Sequence, residues 1–430
     1  MKSKIANDLD ELLTANVINQ EVKENIMQYY LHKKDAQPNR LFAIFGVLGS
    51  LLVGLGIILI LAHNWDDFPR SVKTIWAFVP LVIGQMFVGY TLLKNRKPAW
   101  KETAATFLFF GIGASISLVS QVYNIKGEMS SFLLTWIVLA IPLIYLMKSY
   151  AVTLLHLLFA TIYACNLGYF NSDIPWDYVL LILAVLPVYL GRLKTMPKAN
   201  TTVILHWLFP LSVLISLGNF ISGNDSLGFV LYILLFSIFY NIGKLSYFKN
   251  ASLRGNGYLI LGSVGTIITL LITSFSWVWD EFHFSNYTTQ DYAITIVLVI
   301  IVVGLIANMF RASTLKEFNL FQFAGLIFTG IYISNATLVG LSPLLINLLI
   351  IALGIIAIVI GAKRNKYSIL NYGLVIITAL ITCRFFDTNI SFIVRGLLFM
   401  VIGAGFFGAN YFMYRKQSQL QSQLKLKEDE

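Results

Sequence analysis

The densest group of side chains able to do chemistry is the run His63, Asn64, Trp65, Asp66, Asp67, Phe68, Pro69 and Arg70. Its adjacent carboxylates could serve as a general base, bind a guanidinium, or supply oxygens to a hard divalent cation. Asp280 and Glu281, followed by His283, form a second acid-rich group after Trp279. Gln121, Tyr123 and Asn124 form a third polar group, and Arg384, Asp387 and Arg395 a fourth. A guanidinium offers a bidentate fork to carboxylate or phosphate. Arg395 lies about four residues into an apolar run, where it needs a polar partner, and is the best single candidate. The catalytic candidates are therefore Asp66 and Asp67. The ligand-binding candidates are His63, Asn64, Trp65, Arg70, Gln121, Tyr123, Asp280, Glu281, Arg384, Asp387 and Arg395. Each residue taken alone also has a structural reading. Trp anchors span ends at the interface, Asp and Pro stop helices, and Arg snorkels to headgroups.

No resident metal or cofactor is expected. His156 and His206 are isolated in sequence, whereas a metal site takes three or four ligands at defined spacing. They read as hydrogen-bonded packing residues. Cys165 and Cys383 read as two core thiols and exclude a disulfide scaffold. There is no phosphate-binding glycine loop with a Lys, no zinc-protease motif and no nucleophile elbow.

The elements that must position these groups are membrane helices. Hydrophobic residues make up 57% of the 430 and charged residues 12%, with a mean hydropathy of +0.74. Soluble domains carry about twice that charge, so a soluble enzyme and a nucleic-acid-binding domain are excluded despite the net charge of +10. Fourteen apolar runs read as crossing a hydrocarbon core about 30 Å thick, the fourth, sixth and eighth of them short. They lie near 41–62, 74–93, 104–125, 132–147, 151–170, 177–193, 202–221, 227–243, 256–279, 292–310, 318–334, 343–362, 368–384 and 392–414. The fold class expected is an all-α polytopic membrane protein of about fourteen helices. With the N-terminus cytoplasmic, 26 of the 31 Lys and Arg fall on the inner side. Arg70, Lys73, Lys126, Arg384 and Arg395 fall on the outer side. Cations retained in the cytoplasm set orientation. The expected location is therefore the bacterial inner membrane, with both termini cytoplasmic.

Residues 1–40 lack the apolar region of a signal peptide and read as a cytoplasmic amphipathic helix pair with a turn near Asn16–Asn19. The pair is a folding appendage or a docking element for a cytoplasmic partner. The remaining expected divisions are 41–193 for helices 1–6, 194–254 for linking helices 7 and 8, 255–414 for helices 9–14, and a tail at 415–430. A repeat supports this division. Leu48-Gly49-Ser50 precedes Trp65-Asp66-Asp67-Phe68 much as Leu261-Gly262-Ser263 precedes Trp279-Asp280-Glu281-Phe282. Two six-helix copies flanking two helices would share one orientation, a parallel 6+2+6 repeat. Pro80, Pro142, Pro187 and Pro210 lie inside spans, so the N-terminal part should be the more irregular.

The helix pair followed by a Gly-rich span running into Ala62-His63-Asn64-Trp65-Asp66-Asp67-Phe68-Pro69 resembles a bacterial family of predicted membrane proteins, domain of unknown function 2157. Gln121-Val122-Tyr123, Gly127 and Trp136 fit the same pattern, so the likeness covers about the first 150 residues. Arg395-Gly396-Leu397-Leu398-Phe399, with Gly403 and Asn410-Tyr411, is similar to the C-terminal part of such proteins. The resemblance implies a class and supplies no mechanism.

Three functions compete. A carrier for a small or amphiphilic, perhaps anionic, molecule needs a polar cavity near the bilayer midplane. A membrane-embedded enzyme of the lipid-linked transferase type needs an outer cleft where Asp66 or Asp67 converges with other polar groups. A scaffold or sensor needs neither. The carrier is the preferred reading and an enzyme the less favoured one. The bilayer and a small or lipid-like ligand are the expected partners, and nucleic acid is not.

Overall fold

The computed structural model describes residues 2–15, 17–35, 40–63, 68–170, 173–221, 225–248, 251–282, 287–312, 318–335, 340–387 and scattered residues from 393 to 415. Within these every regular element is helical. Two short helices come first, α1 (Lys2–Thr14) and α2 (Gln20–Asp35). The Asn19 side chain accepts the Val22 N–H at 2.9 Å, capping α2 as a short polar residue before a helix should. Lys23 Nζ meets Asp10 Oδ1 at 2.5 Å across the pair, and Leu9 is buried beneath it.

The apolar helices follow: α3 (Arg40–His63), α4 (Arg70–Leu93), α5 (Pro98–Val122), α6 (Met129–Leu146), α7 (Tyr150–Cys165) and α8 (Trp176–Thr195). The second half holds α9 (Asn200–Leu217), α10 (Asp225–Ile242), α11 (Gly257–Thr273), α12 (Ser276–Asp280) and α13 (Thr289–Ala312). It ends with α14 (Ala324–Ser334), α15 (Ser342–Lys363) and α16 (Tyr367–Asp387). Nine helical segments among the described residues are long and apolar enough to cross a membrane by length and composition. Each of the first thirteen apolar runs carries helix. The fourteenth, 392–414, lies mostly outside the described residues.

Large apolar side chains cover the helix exteriors. On α13 alone Tyr292, Ile296, Val297, Ile300 and Val303 are all exposed. Water would oppose such a surface, and lipid matches it. Pro80, Pro142, Pro187 and Pro210 sit inside continuous helices and end none of them. The breaks occur elsewhere. α7 finishes in a π-helical turn, Asn166–Phe170, α11 and α12 part at Ser274 and Phe275, and a 3-10 turn, Leu320–Gln322, precedes α14.

The chain divides into two compact units. One comprises 1–166 with 176–188, the other 167–175 with 189–430. In the first, α5 is the hub, packing against α3, α4, α6 and α7. Small residues make this feasible: Ala104, Ala105, Thr106, Gly111, Gly113 and Ala114 are all buried on it. Trp136 of α6 lies against Gly113, where an added Cβ would come within 2.4 Å of the indole, and its Nε1–H donates to Phe109 O at 2.7 Å. In the second unit α10 is the hub, packing on α9, α11, α13 and α14, while α15 and α16 form a close antiparallel pair. Buried Asn241 donates to Gln322 O at 3.1 Å and Ser237 Oγ donates to the same oxygen at 3.2 Å, so the 3-10 turn is bonded to α10 inside the unit.

Candidate functional site

The turn Lys94–Lys97 reverses the chain between α4 and α5, so the start of α4 lies beside the end of α5. This brings together two of the residues expected to act. The Arg70 guanidinium sits over the Tyr123 ring, 4.8 Å from its centroid. The Tyr123 hydroxyl is 3.3 Å from Thr74 Oγ1, which donates to Arg70 O at 2.9 Å. Such an arrangement is a cation–π contact at an exposed helix end. It fixes a positive charge there.

Beside it, α4, α5, the 123–128 connection and α6 enclose a groove of about 1410 Å³. Gln121 lies on its wall near the mouth, together with Lys126 and Glu128. Deeper lie Gln85, Ser115, Ser117 and Thr135. The wall along α5 runs from Ile112 to Gln121, about 14 Å at 1.5 Å per residue. That is roughly half of the hydrocarbon thickness. Ser115 is buried, and its Oγ meets no hydrogen-bond partner among the described residues. An orphaned hydroxyl at such depth is costly. Phe78, Leu81, Phe132 and Leu139 complete the wall with apolar surface. The lining holds one cation and one carboxylate, so its formal charge balances.

The other expected site residues are placed differently. Arg384 of α16 is half-buried. Its Nη2 donates to Ser274 Oγ at 3.1 Å, and its guanidinium lies 4.7 Å from the Phe275 ring centroid. Asn347 of α15 also reaches Ser274, donating to its carbonyl at 3.3 Å. Arg384 therefore ties α16, and Asn347 ties α15, to the break after α11. Asp280 and Glu281 are exposed at the end of α12. The tryptophan before them is no interface anchor. Trp279 is buried, donates to Thr273 O at 2.6 Å, and stacks among Phe282, Phe328 and Tyr332. Asn64, Trp65, Asp66, Asp67 and Arg395 lie outside the described residues, as do the side chains of His63 and Asp387.

His156 and His206 are buried and bonded. His156 Nε2 is 2.9 Å from Leu181 O, and His206 Nδ1 is 2.7 Å from the Tyr189 hydroxyl. Cys165 and Cys383 are half-buried and not bridged. Among the described residues no group of three His, Cys, Asp or Glu could hold a metal ion.

Two things escaped the sequence reading. Glu102 of α5 caps the start of α7: Ser149 Oγ donates to its Oε2 at 2.5 Å, and the Tyr150 and Ala151 N–H groups donate to Oε1 and Oε2 at 2.8 and 2.9 Å. The Ser149 before the apolar run marked the helix start, but not which acid would reach it. The serines and threonine of the groove were also missed. Ser131 and Thr135, four apart on α6, were the available signal of a polar face.

Fold and groove together define a polytopic helical membrane protein. Residues 10–153 match the family model described as predicted membrane protein, domain of unknown function 2157. The matched segment contains the whole groove lining. The likeness at 395–411 lies beyond it. No curated protein and no solved structure matches the chain.

Proposed function

We infer that the N-terminal unit is a carrier-like binder whose groove admits a small or amphiphilic molecule from one membrane face. One observation carries this reading: Gln121, Ser117 and Gln85 line the groove with polar side chains from its helix-end mouth to about half the membrane depth. A structural scaffold gains nothing from a polar groove at that depth, whereas a substrate path needs one. The balanced lining charge suits a neutral or zwitterionic polar group. The outer-face enzyme rests on Asp66 and Asp67 and draws no support from this groove. Orientation with both termini cytoplasmic, in a bacterial inner membrane, follows from the cation distribution alone.

Accessibility tests the reading. Single cysteines at Gln85, Ser117 and Thr135, in a chain with Cys165 and Cys383 replaced by Ser, should react with a membrane-impermeant maleimide. A lipid-facing control at Ile300 should not. A carrier alternates, so the Gln85→Cys variant should be labelled from either face of the membrane. Labelling from one face only would leave a receptor or enzyme cleft and overturn the carrier. No labelling at all would show a dry groove and overturn the site.

A further inference from the structure

The second unit holds a separate cavity of about 250 Å³ between the end of α10, α11, α15 and the start of α16. It lies outside the segment that the family model matches. Lys244 and Arg364 stand on its rim. Lys244 follows α10 by two residues, with its Nζ 5.5 Å from the Tyr240 ring centroid, and Arg364 directly follows α15. Inside, Ile260, Val264, Phe321, Ala357 and Ile360 make the walls chiefly apolar. Ser263, Asn319 and Tyr372 supply a few polar atoms. Among the described residues no acid lines it, and neither segment 243–256 nor 363–366 contains one. Arg254, Lys363 and Lys366 are exposed on those same connections.

The geometry has a direction. From Arg364 to Ala357 is seven residues, about 10 Å along α15. The cavity thus runs from a cationic rim at the helix ends to an apolar interior about two turns into the membrane-spanning part. Ser368 and Ile369, in the first turn of α16, also reach the rim, and a helix N-terminus favours an anion. A soluble anion would have no use for the apolar interior, and a neutral apolar molecule no use for the rim. Basic pockets between membrane helices take phospholipid headgroups.

We propose that this cavity binds an anionic amphiphile, its phosphate held between Lys244 and Arg364 and its hydrocarbon chain lying against Ile260, Val264 and Ile360. The site is independent of the groove in the first unit and stands or falls apart from it.

The full chain, purified in an uncharged maltoside detergent, should be titrated with three probes and read by native mass spectrometry. Palmitoyl lysophosphatidylglycerol has an anionic head and a tail, palmitoyl lysophosphatidylcholine a zwitterionic head and the same tail, and glycerol 3-phosphate a head alone. The glycerol lipid should be retained one per chain, and the choline lipid about tenfold more weakly, since its quaternary ammonium brings a like charge against the cationic rim. Glycerol 3-phosphate should neither be retained nor displace the glycerol lipid. The double variant K244Q/R364Q should lose about tenfold in retention of the glycerol lipid, while K94Q/K97Q, which removes two exposed cations from the other unit, should leave it unaltered. Equal retention of the two lipids by the unaltered chain would overturn the proposal whether or not the variants fold. Displacement by glycerol 3-phosphate would replace the amphiphile with a free phosphate ester, overturning it too.

Discussion

Glu102 shows how much a single side chain can decide. An acid one turn into an apolar helix is expensive unless it is satisfied. Here it accepts three bonds, from Ser149 Oγ and from the Tyr150 and Ala151 N–H groups. Those amides begin α7, so the carboxylate also meets the positive end of the helix dipole. Replacing Glu102 by Ala should cost about 1–3 kcal/mol, the range for stranding bonded donors. It should appear as a melting temperature several degrees lower in detergent. Glu102→Gln retains an acceptor oxygen and should lose less. Equal losses would show that a neutral acceptor is not enough and that the charge carries the contact. Arg70 makes a different point. Its contact with Tyr123 joins two residues 53 apart, and neither the Arg nor the Tyr announces the other in the sequence. Tyr123→Ala should leave stability almost unchanged, since an exposed cation–π contact contributes only about 0.5–1 kcal/mol. It should alter how an anionic maleimide approaches a cysteine at Ser117.

At the scale of helices the two Leu-Gly-Ser tripeptides have different fates. Gly262 lies where α11 crosses α10, and a Cβ there would come within 2.4 Å of Tyr240 N and 2.7 Å of Phe236 O. Gly49 of α3 meets nothing within 4 Å among the described residues. The close approach on α3 falls three residues earlier, at Gly46, opposite Thr103. Gly262→Ala should therefore force α10 and α11 apart and cost about 1–3 kcal/mol. Gly49→Ala should be neutral, or stabilising by the 0.5–1 kcal/mol that Ala gains over Gly in a helix. Paired melting curves of the two variants check this. Similar losses in both would restore an equivalent role for the two tripeptides, as the repeat would have it.

For the whole molecule, composition and charge placement carry most of the argument. An impermeant maleimide added to intact cells should label a cysteine at Asp225 and fail to label one at Lys198 until the membrane is opened. The reverse pattern would invert the orientation read from the 26 cations assigned to one side. The helices and their class were legible because hydropathy over about 20 residues is a local property, requiring no knowledge of neighbours. Thirteen of the expected runs carry helix on that basis. The sites were much less legible. Gln121 and Tyr123 stand out in the sequence as polar residues at a span end, yet Gln85 and Ser115, each alone inside an apolar run, carry no local mark, although both line the groove. Trp279 looked like an anchor at the interface and is core. By itself, then, the sequence determined the membrane class, the helix positions and the asymmetry of charge. Tertiary structure alone decided that α5 and α10 are the hubs, that Arg384 bonds Ser274, and that a polar groove and a cation-rimmed cavity exist. The physical reason is rotation. Successive residues on a helix point about 100° apart, so a side chain's partner depends on how each helix is turned against its neighbours, and uniformly apolar spans leave that turn almost unmarked.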